Sequence, residues 1–487
     1  MRFARNTSIS VSLFTLASCF GFMANLAYAQ DVNTDKPILP SGLQPLDSAP
    51  ALPAGLSSSA YTEPVLPAMT GSSSSDTGGS LAKSFELPFD FSGFWEVRGG
   101  LRTQNDRYQK DTSIGESRLQ LQFDLDGENV AFKLVGDLLY DHVLNRHSIN
   151  LETGEGWLDL RQASILLRPL PFADLKIGRQ INTWGTGDML FINDLFPKDW
   201  NSYFSGRDDE YLKAPSDVAK LSLFSDLVNV DIVYALRFDS DRYIDGRRIS
   251  YWNANAGRRA GRDAVVSTDK PDKVFRNDEW ALRFFRTINS YELALYFYDG
   301  YWKSPAGNDP DTGLATFHRL QVLGCSSRGP LGRGILSLES GWYRSADDFH
   351  GKNPMIRNSE MRYLIGYEQE LARDLTGGLQ YYVEQMLDFD EYKATLPSGM
   401  RAADEYRQVL TVRLTKLLMS QNLLLGMFCY YSPTDHDAYL RPKISYKIDD
   451  HWIVECGGNF FIGAQNHTFF GQFELNNNIY ASLRYGF

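Results

Sequence analysis

The sequence predicts an all-β fold, a transmembrane antiparallel β-barrel of about 18 strands, with about 16 as the alternative count. Apolar and polar residues alternate with a two-residue period in segment after segment from Gly93 onward, the pattern of strands with one apolar and one polar face. Short and long connections take turns between these segments, as they do at the two ends of a membrane barrel. Beyond the first 29 residues there is no run of about 18 apolar residues, so no membrane helix is expected.

Residues 1–29 are predicted to be a secretory signal peptide. A positively charged start precedes an apolar run from Ile9 to Ala27, and Ala27-Tyr28-Ala29 matches a small-residue cleavage site. Two other interpretations stay open, namely Leu16-Ala17-Ser18-Cys19 as a lipoprotein box and the apolar run as a plain membrane anchor. The compartment that a signal peptide implies excludes a nucleic-acid partner.

Residues 30–85 are predicted to form a disordered Pro/Ser/Gly-rich periplasmic segment, followed by the barrel over residues 86–487. Repeated prolines and runs such as Gly71-Ser72-Ser73-Ser74-Ser75 leave no apolar periodicity to bury. Docking of a periplasmic partner is the alternative role for this segment.

No cofactor, metal or catalytic residue is expected. Beyond the leader, Cys325, Cys429 and Cys456 are too few for a disulfide framework, and no Cys/His cluster indicates zinc or haem. The seven histidines are scattered without the spacing of a catalytic triad, so the chain is predicted not to be an enzyme. Calcium binding by acidic runs such as Asp208-Asp209-Glu210 stays open.

A barrel of this size has an interior that is wider than side chains alone can fill. The polar faces of the strands would line that interior, and charged linings set the selectivity of pores. Cations outnumber anions on those faces, although the whole chain carries a net charge of −11. The residues predicted to line the lumen are Arg98, Arg102, Arg118, Lys133, Lys176, Lys220, Asp231, Arg237, Arg283, Arg362, Arg413, Arg441, Lys443 and Arg484.

One long connection, from Thr183 to Asp217, carries too many apolar residues for a solvated loop, chief among them Phe191, Phe196 and Trp200. A long connection with its own packing residues is usually functional. We expect this folded-in loop to enter the mouth of the barrel and to constrict it. The polar and aromatic residues assigned to the constriction are Arg179, Asp188, Asp194, Lys198, Asp199, Trp200, Arg207, Asp208, Asp209 and Asp217.

Arg179 shares the strand parity of Leu175 and Ile177, which would place it against lipid. An arginine on the lipid face costs about 2–4 kcal/mol at the bilayer midplane and little near an interface. Gly178 is therefore interpreted as a β-bulge that turns Arg179 inward. A position of Arg179 at the upper rim is the alternative.

The run Ile177-Gly178-Arg179-Gln180, followed by Trp184-Gly185-Thr186-Gly187-Asp188, Trp200 and, farther on, Asp217-Val218, resembles a segment of the alginate-export-type outer-membrane porins. The resemblance extends to the barrel layout and the terminal phenylalanine. It implies that a strand bearing Gly-Arg-Gln leads into an inward loop and that an aspartate precedes the next strand. The sequence departs from that pattern by the insertion of residues 191–197 and by a lumen of mixed charge.

The last strand places Ile479, Leu483, Tyr485 and Phe487 on one face. This pattern resembles the C-terminal signal by which the barrel-assembly machinery of Gram-negative bacteria recognises its clients, so Tyr485 and Phe487 are assigned to an insertion signal. The bacterial outer membrane is the expected location, with its lipid and lipopolysaccharide as partners. Six arginines of the connection 239–277 are expected to meet lipopolysaccharide phosphates, namely Arg242, Arg247, Arg248, Arg258, Arg259 and Arg262.

Together these features predict an outer-membrane porin-like channel for small polar or anionic solutes, with sugars or oligosaccharides among the candidates, constricted by the folded-in loop. A structural or scaffold barrel that docks a periplasmic partner through residues 30–85 is the alternative, and an outer-membrane hydrolase is the third hypothesis. The transported solute, the direction of transport and the oligomeric state do not follow from the sequence.

Overall fold

The computed structural model describes residues 89–144, 147–254, 256–309, 311–396 and 402–487. The predicted signal peptide and the Pro/Ser/Gly-rich segment lie outside these residues. The chain divides into two compact units, one of Met1–Leu66 with Thr287–Ser290 and one of Pro67–Arg286 with Tyr291–Phe487. Of the first unit only residues 287–290 are described, and the contacts discussed below belong to the second.

Eighteen strands form one antiparallel sheet, which confirms the predicted class and the higher of the two strand counts. They are β1 (Asp90–Arg102), β2 (Thr112–Asp126), β3 (Val130–Asp141), β4 (Leu158–Leu170), β5 (Ala173–Gln180), β6 (Ser216–Leu223), β7 (Asn229–Ala235), β11 (Glu279–Ile288), β12 (Tyr291–Tyr301), β15 (Arg319–Leu331), β16 (Gly334–Ser345), β17 (Glu360–Ala372), β18 (Leu375–Met386), β19 (Tyr406–Leu418), β20 (Leu423–Ser432), β21 (Asp437–Lys447), β22 (Trp452–Gly463) and β23 (Asn478–Gly486).

Short strands and helices lie within the connections between these 18 strands. They are the strands β8 (Tyr251–Asn253), β9 (Arg258–Ala260), β10 (Thr268–Asp269), β13 (Gly307–Asn308) and β14 (Ala315–Thr316), the helices α1 (Trp200–Ser205) and α2 (Phe389–Thr395), and the 3-10 helices Asp209–Leu212 and Gly471–Asn476. In the described part of the chain, no helix has both the length and the apolarity needed to cross a membrane.

The sheet closes on itself because the first strand pairs with the last. The β1–β23 register runs from Phe94 opposite Gly486 to Arg102 opposite Asn478. One step farther, the backbones of Gly93 and Phe487 exchange two hydrogen bonds of 3.0 Å. Closure leaves no unpaired sheet edge, as a spanning sheet requires in a solvent without hydrogen-bonding partners.

Short and long connections alternate along the wall, as predicted. Eight connections of two to five residues join strand pairs at one end, beginning with residues 127–129. The other end carries the long connections, including residues 181–215 and 236–278. The alternation has one exception among the described residues: β20 and β21 are joined at the long-loop end by a tight turn of residues 433–436.

The outer face of the barrel is apolar. Alternate strand residues stand out from the wall with large exposed side chains, among them Trp95, Ile177, Trp280, Ile365, Leu379, Ile444 and Ile479. Their inward neighbours are buried and often charged, such as Arg98 and Arg118. An apolar exterior around a closed, polar-lined sheet matches lipid hydrocarbon outside and an aqueous or plugged interior inside. The structure is thus a transmembrane β-barrel.

Candidate functional site

The folded-in loop leaves the wall after Gln180 and rejoins it at Ser216, so it links two neighbouring strands. Its middle holds α1, whose first turn is capped by Asp199 through a 2.7 Å hydrogen bond from the Ser202 amide. Gly206 ends the helix in a left-handed conformation with φ of 90°, and a Cβ there would meet the Tyr480 ring at 2.4 Å. These two ends fix where the chain turns.

Apolar side chains hold the folded-in loop against the inner wall. Ile192, Phe204 and Leu212 are almost fully buried, and the Phe204 ring lies 5.0–5.3 Å from the rings of Tyr439, Phe461 and Phe473. Of the three predicted chief anchors, Phe196 is buried, whereas Phe191 and Trp200 are only half-buried. The sequence pattern identified the anchored segment, but Ile192, Phe204 and Leu212 are more deeply buried than the three side chains named as its chief anchors.

Glu339 on β16 is a polar attachment point of the loop that accepts several hydrogen bonds. One carboxylate oxygen accepts from the backbone N and side-chain Nδ2 of Asn193 at 2.8 and 2.9 Å. The other oxygen accepts from the backbone N atoms of Thr186 and Gly187 at 3.0 and 3.1 Å. The Glu339 side chain is buried, and these loop donors solvate its charge.

Two glycines in the wall make room for this contact. A Cβ on Gly324 of β15 would lie 1.7 Å from Asn193 Oδ1, and one on Gly341 of β16 would lie 2.8 Å from an Ile192 methyl carbon. Any other residue at Gly324 would push the loop away from Glu339. The inner wall is therefore shaped for the loop at this point.

Three predicted loop carboxylates pair with predicted lumen arginines. Asp188 contacts Arg413 of β19, with 2.8 Å between Oδ1 and Nη2. Asp209 contacts Arg441 of β21, with 2.8 Å between Oδ1 and Nη1. Asp208 contacts both Arg98 of β1 and Arg484 of β23. The loop thus reaches wall strands far from its own attachment points on β5 and β6.

The remaining charges of the loop fall into two groups. Arg207 reaches the wall, where it donates to Glu116 of β2 at 2.6 and 2.9 Å. Asp194 and Lys198 instead pair with each other at 2.9 Å and are both buried. Asp199 caps α1 and accepts a 3.3 Å hydrogen bond from Arg242 of the external connection 236–278. The last three residues hold the loop in shape and do not contact the predicted lumen cations.

The bulge interpretation of Gly178 was wrong. Gly178 has a φ of 120°, but the register continues unbroken through Gly178 opposite Ser164 and Arg179 opposite Ala163. Arg179 Nη1 donates to both oxygens of Asp217, its partner in the β5–β6 register, at 3.0 and 3.1 Å. Both residues lie at the ends of their strands, and the Asp217 side chain is 59% exposed. The pair belongs to the upper rim, the position given above as the alternative.

The other predicted lumen residues sort by their contacts. Arg118 pairs with Glu116 and Asp137, Arg283 with Glu292, and Arg362 with Glu360 and Glu384, all on inner wall strands. Lys220 contacts Asp231 at 3.3 Å and lies opposite Lys176 in the β5–β6 register, and Lys133 lies on β3 opposite Asp124. The last two lie near strand ends. Arg237 follows the end of β7 and pairs with Glu152 of an external connection, and Arg102, the last residue of β1, donates to the carbonyls of Lys110 and Arg248.

Several wall residues that hold the loop were missed by sequence reasoning. Glu116, Asp159, Arg161 and Glu339 are buried, and all contact the loop or a residue that does. Glu116 has the same strand parity as Arg118, so a complete tally of inward positions would have included it. Because of these acids, arginines of the wall, the folded-in loop and the connection 236–278 have carboxylate neighbours.

Two neighbouring carboxyl groups of the loop have displaced pKa values. Burial would raise the pKa of Asp209, but Arg441 and Lys443 outweigh it and lower this pKa to about 2. Burial, together with the nearby Asp208 carboxylate, raises the pKa of Glu210 to about 7. Glu210 Oε1 has no hydrogen-bond partner among the described residues, which agrees with a carboxyl group that is poorly stabilised when charged.

A cavity of about 450 Å³ opens on the external side of α1. Asp199, Asn201 and Arg207 of the folded-in loop line one side of it. Arg242 and Arg248 line another, where they are buried and paired with Asp159 and Asp141 respectively. These two arginines therefore do not face the cell surface, which corrects their assignment to lipopolysaccharide. In the described residues no group of three or more His, Cys, Asp and Glu side chains is placed to hold a metal ion.

The closed wall of 18 strands, with its apolar exterior and charged interior, is the architecture of a bacterial outer-membrane β-barrel. Neither a protein-family model nor a curated protein matches the sequence. Among solved structures the chain is similar to OccAB4 of Acinetobacter baumannii, with a TM-score of 0.50 and 12% identity over 82% of this chain and 98% of that one. It is also similar to OccK11 (OpdR) of Pseudomonas aeruginosa, with a TM-score of 0.48 and 11% identity over 82% and 95% of the two chains. A third similar structure is OmpF of Salmonella typhi, with a TM-score of 0.41 and 10% identity over 82% of this chain and 97% of that one. At 12% identity the likeness to OccAB4 shows the barrel fold alone. The location in the outer membrane follows from the closed 18-strand wall with its apolar exterior.

Proposed function

We propose that the protein is an outer-membrane channel for small polar or anionic solutes and that the folded-in loop constricts it. The observation that carries this proposal is the set of ion pairs that the loop makes around the wall. Asp188 reaches β19, Asp209 reaches β21, and Asp208 reaches β1 and β23. A segment that is attached at β5 and β6 and touches these strands lies across the lumen.

The charge of the lining supports the assignment of the solute class. Lys133, Lys176 and Lys220 stand on inner faces of β3, β5 and β6, and each keeps part of its surface exposed. Charged side chains along a water-filled path select solutes of the opposite sign. Small anionic or hydrogen-bonding solutes suit this path better than apolar ones do. An alginate-type substrate rests on the sequence resemblance alone.

The contacts with partners are proposals of the same kind. Outer-membrane lipid would cover the apolar outer face, and lipopolysaccharide would meet partly exposed external arginines such as Arg247 and Arg258, which pair with Asp245 and Asp263 in this structure. The barrel-assembly machinery would recognise Tyr485 and Phe487. The channel proposal does not require a periplasmic partner for residues 30–85.

Deletion of residues 188–213 tests the channel and its constriction together. The β5–β6 ladder lies outside the deleted residues, so the barrel still closes. We expect single-channel conductance in planar bilayers to rise and ion selectivity to fall. Deletion of the exposed helix α2 is the control and leaves both values as in the wild type.

Two outcomes would contradict the proposal in different ways. A wild-type barrel that never conducts would favour the scaffold hypothesis. A deletion that leaves conductance and selectivity unchanged would place the folded-in loop outside the solute path.

A further inference from the structure

Four cations of the wall converge where the folded-in loop crosses β1, β21 and β23. Barrel closure brings these strands together, since β21 pairs with β22, β22 with β23, and β23 with β1. The four residues are Arg98, Arg441, Lys443 and Arg484, and we call them the wall cation cluster. Arg98 is almost fully buried, and Arg441 is nine-tenths buried.

Two carboxylates of the wall neutralise half of this cluster. Glu96 contacts Arg98 and Arg484 at 3.0 and 2.9 Å. Glu455 contacts Arg98 and Lys443 at 3.0 and 3.2 Å. Four cations against two anions leave a surplus of two positive charges on the wall.

Asp208 and Asp209 of the folded-in loop supply the two missing negative charges. Asp208 lies between Arg98 and Arg484, with 3.2 Å between its Oδ1 and Arg98 Nη2. Asp209 contacts Arg441 Nη1 at 2.8 Å. Both carboxylates keep 17–18% of their side-chain surface exposed. They are therefore reachable from the lumen, unlike most of the residues they bind.

The cluster also retains unused binding capacity. Arg441 Nε is buried and has no hydrogen-bond partner among the described residues. The Arg441 guanidinium lies 3.9 Å over the Tyr203 ring, which fixes its plane. A buried arginine donor without an acceptor is costly, so a ligand that supplied an oxygen there would be stabilised.

We propose that the wall cation cluster is a binding site for a small dianionic solute, which Asp208 and Asp209 occupy in this structure as internal ligands. The inference rests on the proposed function, because a solute reaches the cluster through the lumen. A dianion carries the two charges that the wall lacks and accepts hydrogen bonds from guanidinium and ammonium groups. A neutral solute that displaced the loop would leave two wall cations without counter-charge, which is strongly unfavourable for partly buried groups. Entry of a dianion and release of the Asp208-Asp209 segment are thus one exchange.

The double substitution Asp208→Asn with Asp209→Asn tests the site, because it removes both internal charges and keeps the side-chain size. Binding of succinate to the full chain in detergent is measured by calorimetry at fixed ionic strength, with neutral succinamide as the comparison ligand. We expect the double variant to bind succinate about tenfold more tightly than the wild type, ~1.4 kcal/mol, and not to bind succinamide. The matched control is Asp390→Asn with Glu391→Gln, which removes two carboxylates from the exposed helix α2 and should keep wild-type affinity.

Adding Arg441→Gln and Lys443→Gln to the double variant should abolish the gain in affinity. If the double variant binds succinate no more tightly than the control pair, the cluster is not a dianion site.

Hydrogen exchange of residues 206–212 in the wild type is a second test, and it does not depend on whether any variant folds. We expect saturating succinate, but not succinamide, to speed exchange there, and unchanged exchange would overturn the internal-ligand assignment. Conductance of the wild-type barrel in potassium chloride reports on the proposed function separately from both measurements.

Discussion

Single residues decide how firmly the folded-in loop is held, and Glu339 is the clearest case. Its carboxylate accepts from three backbone N atoms and one side-chain amide of the loop. Glu339→Gln would replace one acceptor oxygen by an NH₂ group that faces N–H donors. Hydrogen bonds to a charged group contribute about 1.5–3 kcal/mol each, so we expect the loop to detach more often. Single-channel recordings should then show a larger mean conductance and more open-channel noise.

The matched control for Glu339→Gln is Glu128→Gln, which removes the same charge from an exposed turn at the opposite end of the barrel. It should leave the recordings as in the wild type. Equal behaviour of the two variants would mean that the Glu339 contacts do not hold the loop.

Glu210 gives the folded-in loop a carboxyl group that titrates near neutral pH. Because burial and Asp208 raise its pKa to about 7, Glu210 is mostly neutral at pH 6 and mostly ionised at pH 8. The folded loop binds the proton more tightly than an undocked loop does, since the ordinary pKa is about 4.3. With respect to this group, the docked loop is therefore most stable below pH ~4.3, and this contribution is lost as the pH rises from there through 7.

The measurement is the reversal potential in a salt gradient between pH 6 and pH 8. We expect cation permeability to increase with pH in the wild type as Glu210 gains its charge. Glu210→Gln should remove that part of the change. A wild type and a variant with the same pH profile would show that Glu210 does not titrate in this range.

At the scale of the element, packing of α1 anchors the loop as much as its charges do. Phe204 is buried among three aromatic rings of the wall and of the 3-10 helix 471–476. Phe204→Ala should destabilise docking by about 3–5 kcal/mol, the usual cost of removing a buried phenylalanine ring. The half-buried Phe191 provides the control, since Phe191→Ala should cost clearly less. Hydrogen exchange over residues 184–213 measures both, and equal protection in the two variants would contradict the assigned anchor.

The strands and the loop could be predicted from sequence because their signals are local. Two-residue alternation and turn length identified the wall, and apolar residues in a polar connection identified the folded-in loop. The partners of the loop could not be predicted in this way. Asn193 meets Glu339, and Asp208 meets both Arg98 and Arg484, only because the sheet closes. Such contacts join residues hundreds of positions apart, and strand parity gives the face of a residue but not its neighbour across the lumen.

Arg179 shows the same limit within a single strand. Strand parity placed Arg179 on the outer face. Because a charge in lipid is costly, a bulge was predicted that would turn it inward, but the register contains no bulge at this point. At the rim the Arg179 charge is stabilised, because Asp217 lies opposite and the carbonyl of Leu160 accepts a hydrogen bond from Arg179 Nε at 2.7 Å. Arg179 tolerates an outward position because it lies near the rim, and sequence alternation does not report how high along the barrel axis a residue lies.

At the scale of the whole molecule, assembly depends on the seam between β1 and β23. Phe487 extends that seam by two backbone hydrogen bonds to Gly93, and its ring lies 5.8 Å from the Phe91 ring on the outer face. Deletion of Phe487 removes the seam bonds, the ring and the predicted insertion signal at once. We expect the yield of heat-modifiable, folded barrel in the outer membrane to fall sharply, measured by gel mobility of membrane fractions.

Two further variants separate the causes of that loss. Phe487→Ala keeps both seam hydrogen bonds and removes only the aromatic ring, whereas Phe91→Ala removes the ring contact and keeps the terminal phenylalanine. If the assembly machinery reads Phe487, then Phe487→Ala should assemble as poorly as the deletion, and Phe91→Ala should assemble nearly as well as the wild type. Refolding of the same purified proteins into detergent, where no machinery is present, should be similar for Phe487→Ala and Phe91→Ala. Each loses the contact between the two rings and one further aromatic neighbour, Tyr485 for Phe487 and Phe123 for Phe91. Equal assembly of these two variants in cells would instead assign Phe487 to the stability of the seam alone.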